Sequence, residues 1–115
     1  MRLHANYIST SVDGDHYEAM FAGEDTDDPN VPYLIIQRQF EEPEDETCYI
    51  ETHDRNYSGH FLLRRVEFTP RSLLVEFNRP SDNLISVTFC MAPLEFAEAS
   101  HVMKIISGEI VPEPE

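Results

Sequence analysis

Apolar and polar positions alternate along most of this chain, and the alternation divides it into short strands followed by one helix. Residues 3–12 read as a first strand, with Leu3, Ala5 and Tyr7 set against His4, Asn6 and Ile8. Asp13-Gly14 is a two-residue hairpin signal, and His16-Tyr17-Glu18-Ala19-Met20-Phe21-Ala22 is the strand that returns. The segment 23–32 is acidic and carries Pro29 and Pro32, so an exposed irregular loop is expected there. Residues 33–40 form a third strand, apolar on both faces at its start. After the acidic run 41–46, residues 47–53 are β-branched and aromatic enough for a fourth.

Past the turn-rich stretch 54–59 the pattern sharpens. Leu62, Arg64, Val66 and Phe68 are expected on one face, with Phe61, Leu63, Arg65 and Glu67 on the other. Thr69-Pro70-Arg71-Ser72 is a tight turn, and Leu73, Val75 and Phe77 alternate with Leu74, Glu76 and Asn78. A second turn at 79–83 leads to Ile85, Val87 and Phe89, opposed to Ser86, Thr88 and Cys90. The helix opens at Pro93, where a missing N–H costs nothing, and Phe96, Ala99, Val102, Met103 and Ile106 make one apolar stripe. Glu95 and Glu98 suit its positive end, and Gly108 supplies a left-handed stop. The fold class predicted is α+β: an antiparallel meander sheet of six or seven strands with one C-terminal helix packed on a face. Residues 1–110 form one domain, and 111–115 are expected to be a disordered acidic tail.

Composition changes this picture in one respect. Residues 1–54 hold fourteen Asp and Glu against two Arg, whereas 55–115 hold eight acids against six bases, so most of the net charge of −14 lies in the first half. Two runs carry much of it, Glu24-Asp25-Thr26-Asp27-Asp28 and Glu41-Glu42-Pro43-Glu44-Asp45-Glu46. Such a field attracts cations and basic surfaces. It disfavours nucleic acid as a partner, because one Lys and seven Arg offer little to neutralise phosphates. Arg64, Arg65, Arg71 and Arg79 are read as ordinary exposed residues of strands and turns. No apolar run approaches a membrane span or a signal-peptide core, and two cysteines are too few for a secreted disulfide framework. A cytoplasmic location with no membrane contact is expected, and the oligomeric state is open.

Candidate chemistry is sparse. Five histidines and two cysteines lack paired metal-ligand spacing, and Cys48 and Cys90 are read as small buried strand residues. Asp25, Asp27, Asp28 and Asn30 imitate the start of a calcium loop, but the Gly and Glu that such a loop needs later are missing. Tyr57-Ser58-Gly59-His60 places a hydroxyl near an imidazole, which turn chemistry explains equally well. No nucleophile elbow or Gly-rich phosphate loop occurs. The expectation is a binding protein without a cofactor or metal, and not an enzyme. The acidic surface serves either as a solubility face or as a recognition surface, with Tyr33, Tyr49 and Tyr57 as aromatic anchors.

Tyr33-Leu34-Ile35-Ile36-Gln37-Arg38, Cys48-Tyr49-Ile50-Glu51 and Tyr57-Ser58-Gly59-His60, followed by the 62–90 meander and a helix over 93–107, carry a family likeness. In order and spacing these segments, about two-thirds of the chain, resemble the bacterial immunity proteins of polymorphic toxin systems, in the group called immunity family ten. Where relatives often carry paired glycines after the Tyr-Ile-Glu strand, this chain has Ser58-Gly59-His60. The resemblance implies a protein that binds and neutralises a cognate toxin domain. For a basic toxin, the contact residues expected are Glu41, Glu42, Glu44, Asp45, Glu46, Tyr49, Glu51 and Tyr57. Two other readings stand beside it. One is a small ligand-binding domain or enzyme with a pocket between helix and sheet, lined by His53 and His60. The other is a module that self-associates through a sheet edge.

Overall fold

The computed structural model describes residues 1–24, 30–41 and 46–109. Two sheets, not one meander, form the domain. The first holds four strands: β1 (Arg2–His4), β9 (Leu84–Thr88), β8 (Ser72–Phe77) and β7 (Leu63–Thr69), in that spatial order. The second holds five in simple succession: β2 (Tyr7–Asp13), β3 (His16–Ala22), β4 (Tyr33–Gln39), β5 (Cys48–Thr52) and β6 (Gly59–Phe61). Nine strands therefore replace the six or seven expected among the described residues, and β1 runs parallel to β9. The helix α1 spans Pro93–Ile106.

The difference arises where the chain changes sheet. The stretch expected as one strand over 3–12 is two. Ala5 is buried, its N–H still bonding to Thr88 O at 2.8 Å, while the Asn6 N–H already bonds to Ala22 O at 2.9 Å. The Asn6 side chain also donates to Gly23 O, which fixes the crossing. A second crossing occurs at Leu62, exposed between β6 and β7. Here the expected partition of faces fails. A bulge between Leu63 and Arg65 inserts Arg64 as an extra residue and resets the parity. Leu63, Val66 and Phe68 consequently pack on the core, while Arg64 and Arg65 face water.

The inner faces of both sheets and one stripe of α1 make a single core. Ala19, Phe21, Leu34, Ile36, Cys48 and Ile50 come from the five-stranded sheet, and Leu73, Val75, Phe77, Ile85 and Val87 from the four-stranded one. Aromatic rings join the layers: Phe61 stacks on Phe77 with centroids 4.3 Å apart, and Phe21 meets Phe89 at 5.7 Å. Cys48 is buried as expected. Cys90, one residue beyond the core-facing Phe89, is exposed instead.

The helix lies against the inner side of the five-stranded sheet, burying Ala99, Val102, Met103, Ile105 and Ile106. Pro93 occupies its first turn and Lys104 its last, as the dipole favours. Gly108, at φ +85°, ends it in the left-handed conformation, with its N–H on Ile105 O at 3.1 Å. A Cβ there would stand 3.2 Å from the Arg38 guanidinium, so close approach and backbone angle both call for glycine. That guanidinium donates to Ile106 O at 3.2 Å, and the Cys48 thiol reaches the same carbonyl at 3.5 Å. The acidic tail expected over 111–115 lies outside the described residues. No helix among the described residues is long and apolar enough to cross a membrane.

Candidate functional site

With one side of the five-stranded sheet turned to the core and helix, its other side carries the side chains of opposite parity. Antiparallel pairing aligns them in rows. One row is Tyr7, Ala22 and Tyr33; the next is Ser9, Met20, Ile35 and Glu51; a third is Ser11, Glu18, Gln37, Tyr49 and His60. Asp13, His16 and Gln39 close the face at one end. No described strand residue of this face is Lys or Arg. Arg38, the one arginine on these strands, has inward parity and bonds the helix end.

Glu51 is the centre of the arrangement. The Tyr33 hydroxyl donates to Oε2 and the Tyr49 hydroxyl to Oε1, each at 3.1 Å, so both carboxylate oxygens hold one tyrosine. Two imidazoles flank the pair: His60 stands 5.2 Å from the Tyr49 ring and His53 6.2 Å from that of Tyr33, centroid to centroid. The Tyr33 N–H donates to His53 Nδ1 at 3.2 Å. In the next pair of strands, the Gln37 amide donates to the Glu18 carboxylate. Two carboxylates are thus held in fixed orientations on a half-buried floor of Met20 and Ile35. A carboxylate already oriented loses less entropy on meeting a cationic side chain.

Both tyrosines are held above their ordinary pKa. Burial is the larger cause for Tyr33, followed by its hydrogen bond to Glu51; for Tyr49 that hydrogen bond comes first and burial second. The raised values mean that the folded state favours the protonated hydroxyls. Their contribution to stability is complete below the unfolded value of 10.0 and is lost as pH rises through the folded values. Ultraviolet titration is expected to place both hydroxyls above the ordinary tyrosine value of 10.0. Glu51→Gln is expected to lower Tyr49 toward 10.0 more completely than Tyr33, whose shift comes first from burial. Equal responses, or none, would contradict the assignment.

The residues expected from sequence fall in three places. Tyr49 and Glu51 lie together on this face, as alternation implied. Glu41 and Glu46 are exposed at the two ends of the β4–β5 connection, while Glu42, Glu44 and Asp45 lie outside the described residues. Tyr57 lies elsewhere: it packs against the core, with its hydroxyl 3.4 Å from the Met1 nitrogen. Glu18, Gln37, Met20 and Ile35 were not anticipated as members. Their parity was readable within each strand, but the register that sets them beside Glu51 was not.

The other candidates resolve into structural roles. His53 and His60 lie on the outer face rather than between helix and sheet. Ser58 Oγ accepts from the Thr52 N–H and bonds Asp54 O, both at 3.1 Å, so it shapes the turn after β5. Asp54 caps the short 3-10 turn Arg55–Tyr57 by accepting from the Asn56 N–H at 2.9 Å. Among the described residues no group of three or more His, Cys, Asp or Glu gathers to hold a metal ion. The calcium-like run 25–28 lies outside them. No family model matches the chain, and no curated protein matches it.

Proposed function

We propose that the protein is a binding module of the immunity type, which neutralises a cognate basic toxin domain through the outer face of its five-stranded sheet. The observation that carries this reading is the Glu51 centre: a carboxylate fixed by two tyrosine hydroxyls on a face whose described strand residues include no Lys or Arg. Tyrosines supply contact area at low entropic cost, and uncompensated carboxylates favour arginine or lysine from a partner. The toxin class comes from the family resemblance, and the basic character of the partner from the charge split of the chain. The exposed Glu41 and Glu46 border the same sheet at its β4–β5 end and extend its negative field.

The test is binding and inhibition with the basic toxin domain produced alongside this protein. Stoichiometric loss of toxin activity is expected, with affinity falling as salt rises. Glu51→Lys is expected to weaken binding at least tenfold, about 1.4 kcal/mol, with the circular dichroism spectrum of the parent retained. Reversal of Glu41, Glu42, Glu44 and Glu46 to Lys reads the acidic run separately. Loss of binding in that variant alone would move the contact from the sheet face to the connection. Full inhibition by both variants would defeat the electrostatic reading.

A further inference from the structure

Among the described residues the two open sheets have four edges, the outer strands β2, β6, β1 and β7. An edge strand presents unpaired N–H and C=O groups that invite another strand, and proteins commonly blunt such edges. Three of these are blunted. The strands β1 and β6 have three residues each. The strand β7 carries a bulge and the charged side chains of Arg64, Arg65 and Glu67. The fourth, β2, has seven residues, Tyr-Ile-Ser-Thr-Ser-Val-Asp, in unbroken register with β3. It contains no Pro, Gly, Lys or Arg, and its single charge is Asp13 at the end.

We propose that β2 is a self-association edge: it pairs antiparallel with β2 of a second copy about a two-fold axis at Thr10. The two five-stranded sheets then form one continuous sheet. The sequence of β2 is complementary to itself in that register. Ile8 falls opposite Val12 of the other copy, Ser9 opposite Ser11, Thr10 opposite Thr10, and Tyr7 opposite Asp13. Apolar groups meet apolar groups, hydroxyls meet hydroxyls, and each terminal carboxylate meets a phenol that can donate to it. Centring the axis on Ser9 or Ser11 instead leaves residues of β2 unpaired within the strand and sets Ile8 or Val12 opposite Thr10. Tyr7 and Val12, 47% and 53% exposed, are the two large apolar side chains that this pairing would cover. The two Asp13 carboxylates stand about 20 Å apart along the paired strands, well beyond the screening length of about 8 Å at physiological salt.

This association uses the edge of the sheet whose outer face is the proposed toxin contact, and it has the opposite salt response. Two copies of a chain with net charge −14 repel at low salt, so the dimer strengthens as salt is added, whereas a basic partner is released. Sedimentation velocity of the full chain, across a wide concentration range at low and physiological salt, reads it directly. A monomer–dimer equilibrium that shifts to dimer with concentration and salt is expected. Ser9→Lys combined with Ser11→Lys, both at exposed outward positions, sets ammonium groups opposite each other and is expected to abolish the dimer with unchanged circular dichroism. Hydrogen exchange of the unaltered protein is a second readout: amides of β2 gain protection as concentration rises. A monomer under all conditions overturns the proposal, as does a doubly substituted variant that dimerises like its parent. Protection of β2 only when toxin is added overturns it too, and would assign the edge to a strand of the toxin.

Discussion

Phe21→Ala is expected to destabilise the domain by about 4 kcal/mol, near the top of the range for core truncations. Phe21 is fully buried on the inner face of β3, where the two sheets and the helix converge. Its ring stacks on Phe89 at 5.7 Å and meets Phe68 edge-on at 6.3 Å, so it touches the last segment before the helix and an edge strand of the other sheet. Phe68 in turn contacts Phe96 on α1 at 5.1 Å. Removing the ring takes away its transfer free energy and leaves a cavity that neighbours on paired strands cannot collapse into. Urea unfolding is the measurement, with a midpoint shift at unchanged slope; in thermal unfolding the loss corresponds to roughly 15 °C for a domain of this size. Phe21→Leu retains most of the volume and is expected to cost less than half as much. A shift below about 1 kcal/mol for the alanine variant would mean that Phe21 does not join the layers.

Arg79→Ala is expected to cost about 2 kcal/mol, through lost packing as much as lost charge. Sequence placed this arginine among ordinary exposed turn residues, yet it is half-buried. Its guanidinium lies over three rings, with centroids at 4.9 Å for Phe61, 5.4 Å for Phe77 and 5.8 Å for Tyr57. Its nitrogens also donate to the backbone carbonyls of Asp82 and Asn56. One side chain therefore ties the β8–β9 connection of one sheet to the 3-10 turn of the other and covers the Phe61–Phe77 stack. Arg79→Lys keeps the charge but not the planar fork, and its stability is expected to fall between the two. Denaturant unfolding gives the magnitude, and faster hydrogen exchange over residues 54–59 locates the effect. An alanine variant as stable as the parent would reduce Arg79 to a surface charge.

Alternation was legible in this chain because it is local. His16–Ala22 was placed to the residue, and Tyr33–Gln39 and Cys48–Thr52 within one residue at each end that differs. The grouping of Leu73, Val75 and Phe77 on one face was correct, as was the helix start at Pro93. Period two says which face a side chain takes but not which sheet the strand joins. The crossings at Asn6 and Leu62 carry no Pro or Gly to mark them, so two strands merged into one and two sheets into a single meander. The bulge at Arg64 was hidden for a related reason, since an inserted residue reverses parity without altering composition. At the candidate site, Tyr49 and Glu51 followed from their spacing of two. Glu18 and Gln37 depended on lateral register, which hairpin turns and the β3–β4 connection set together. Tyr57 looked equivalent to the other tyrosines until the fold placed its ring against the core.

The parallel contact of β1 with β9 also fixes an order of events during synthesis. Leu3 lies opposite Val87, and the Ser86 N–H bonds to Met1 O at 2.8 Å, so β1 leaves the ribosome long before the strand it pairs with. The succession β2 to β6 can pair hairpin by hairpin as it emerges, each strand meeting its sequence neighbour. Its inner apolar face stays uncovered until β7, β8, β9 and α1 arrive. Closure of the sandwich is expected to be slow, because it requires contacts across most of the sequence. The half made early is also the acidic one, so any two such chains carry like charge that opposes contact between their uncovered faces.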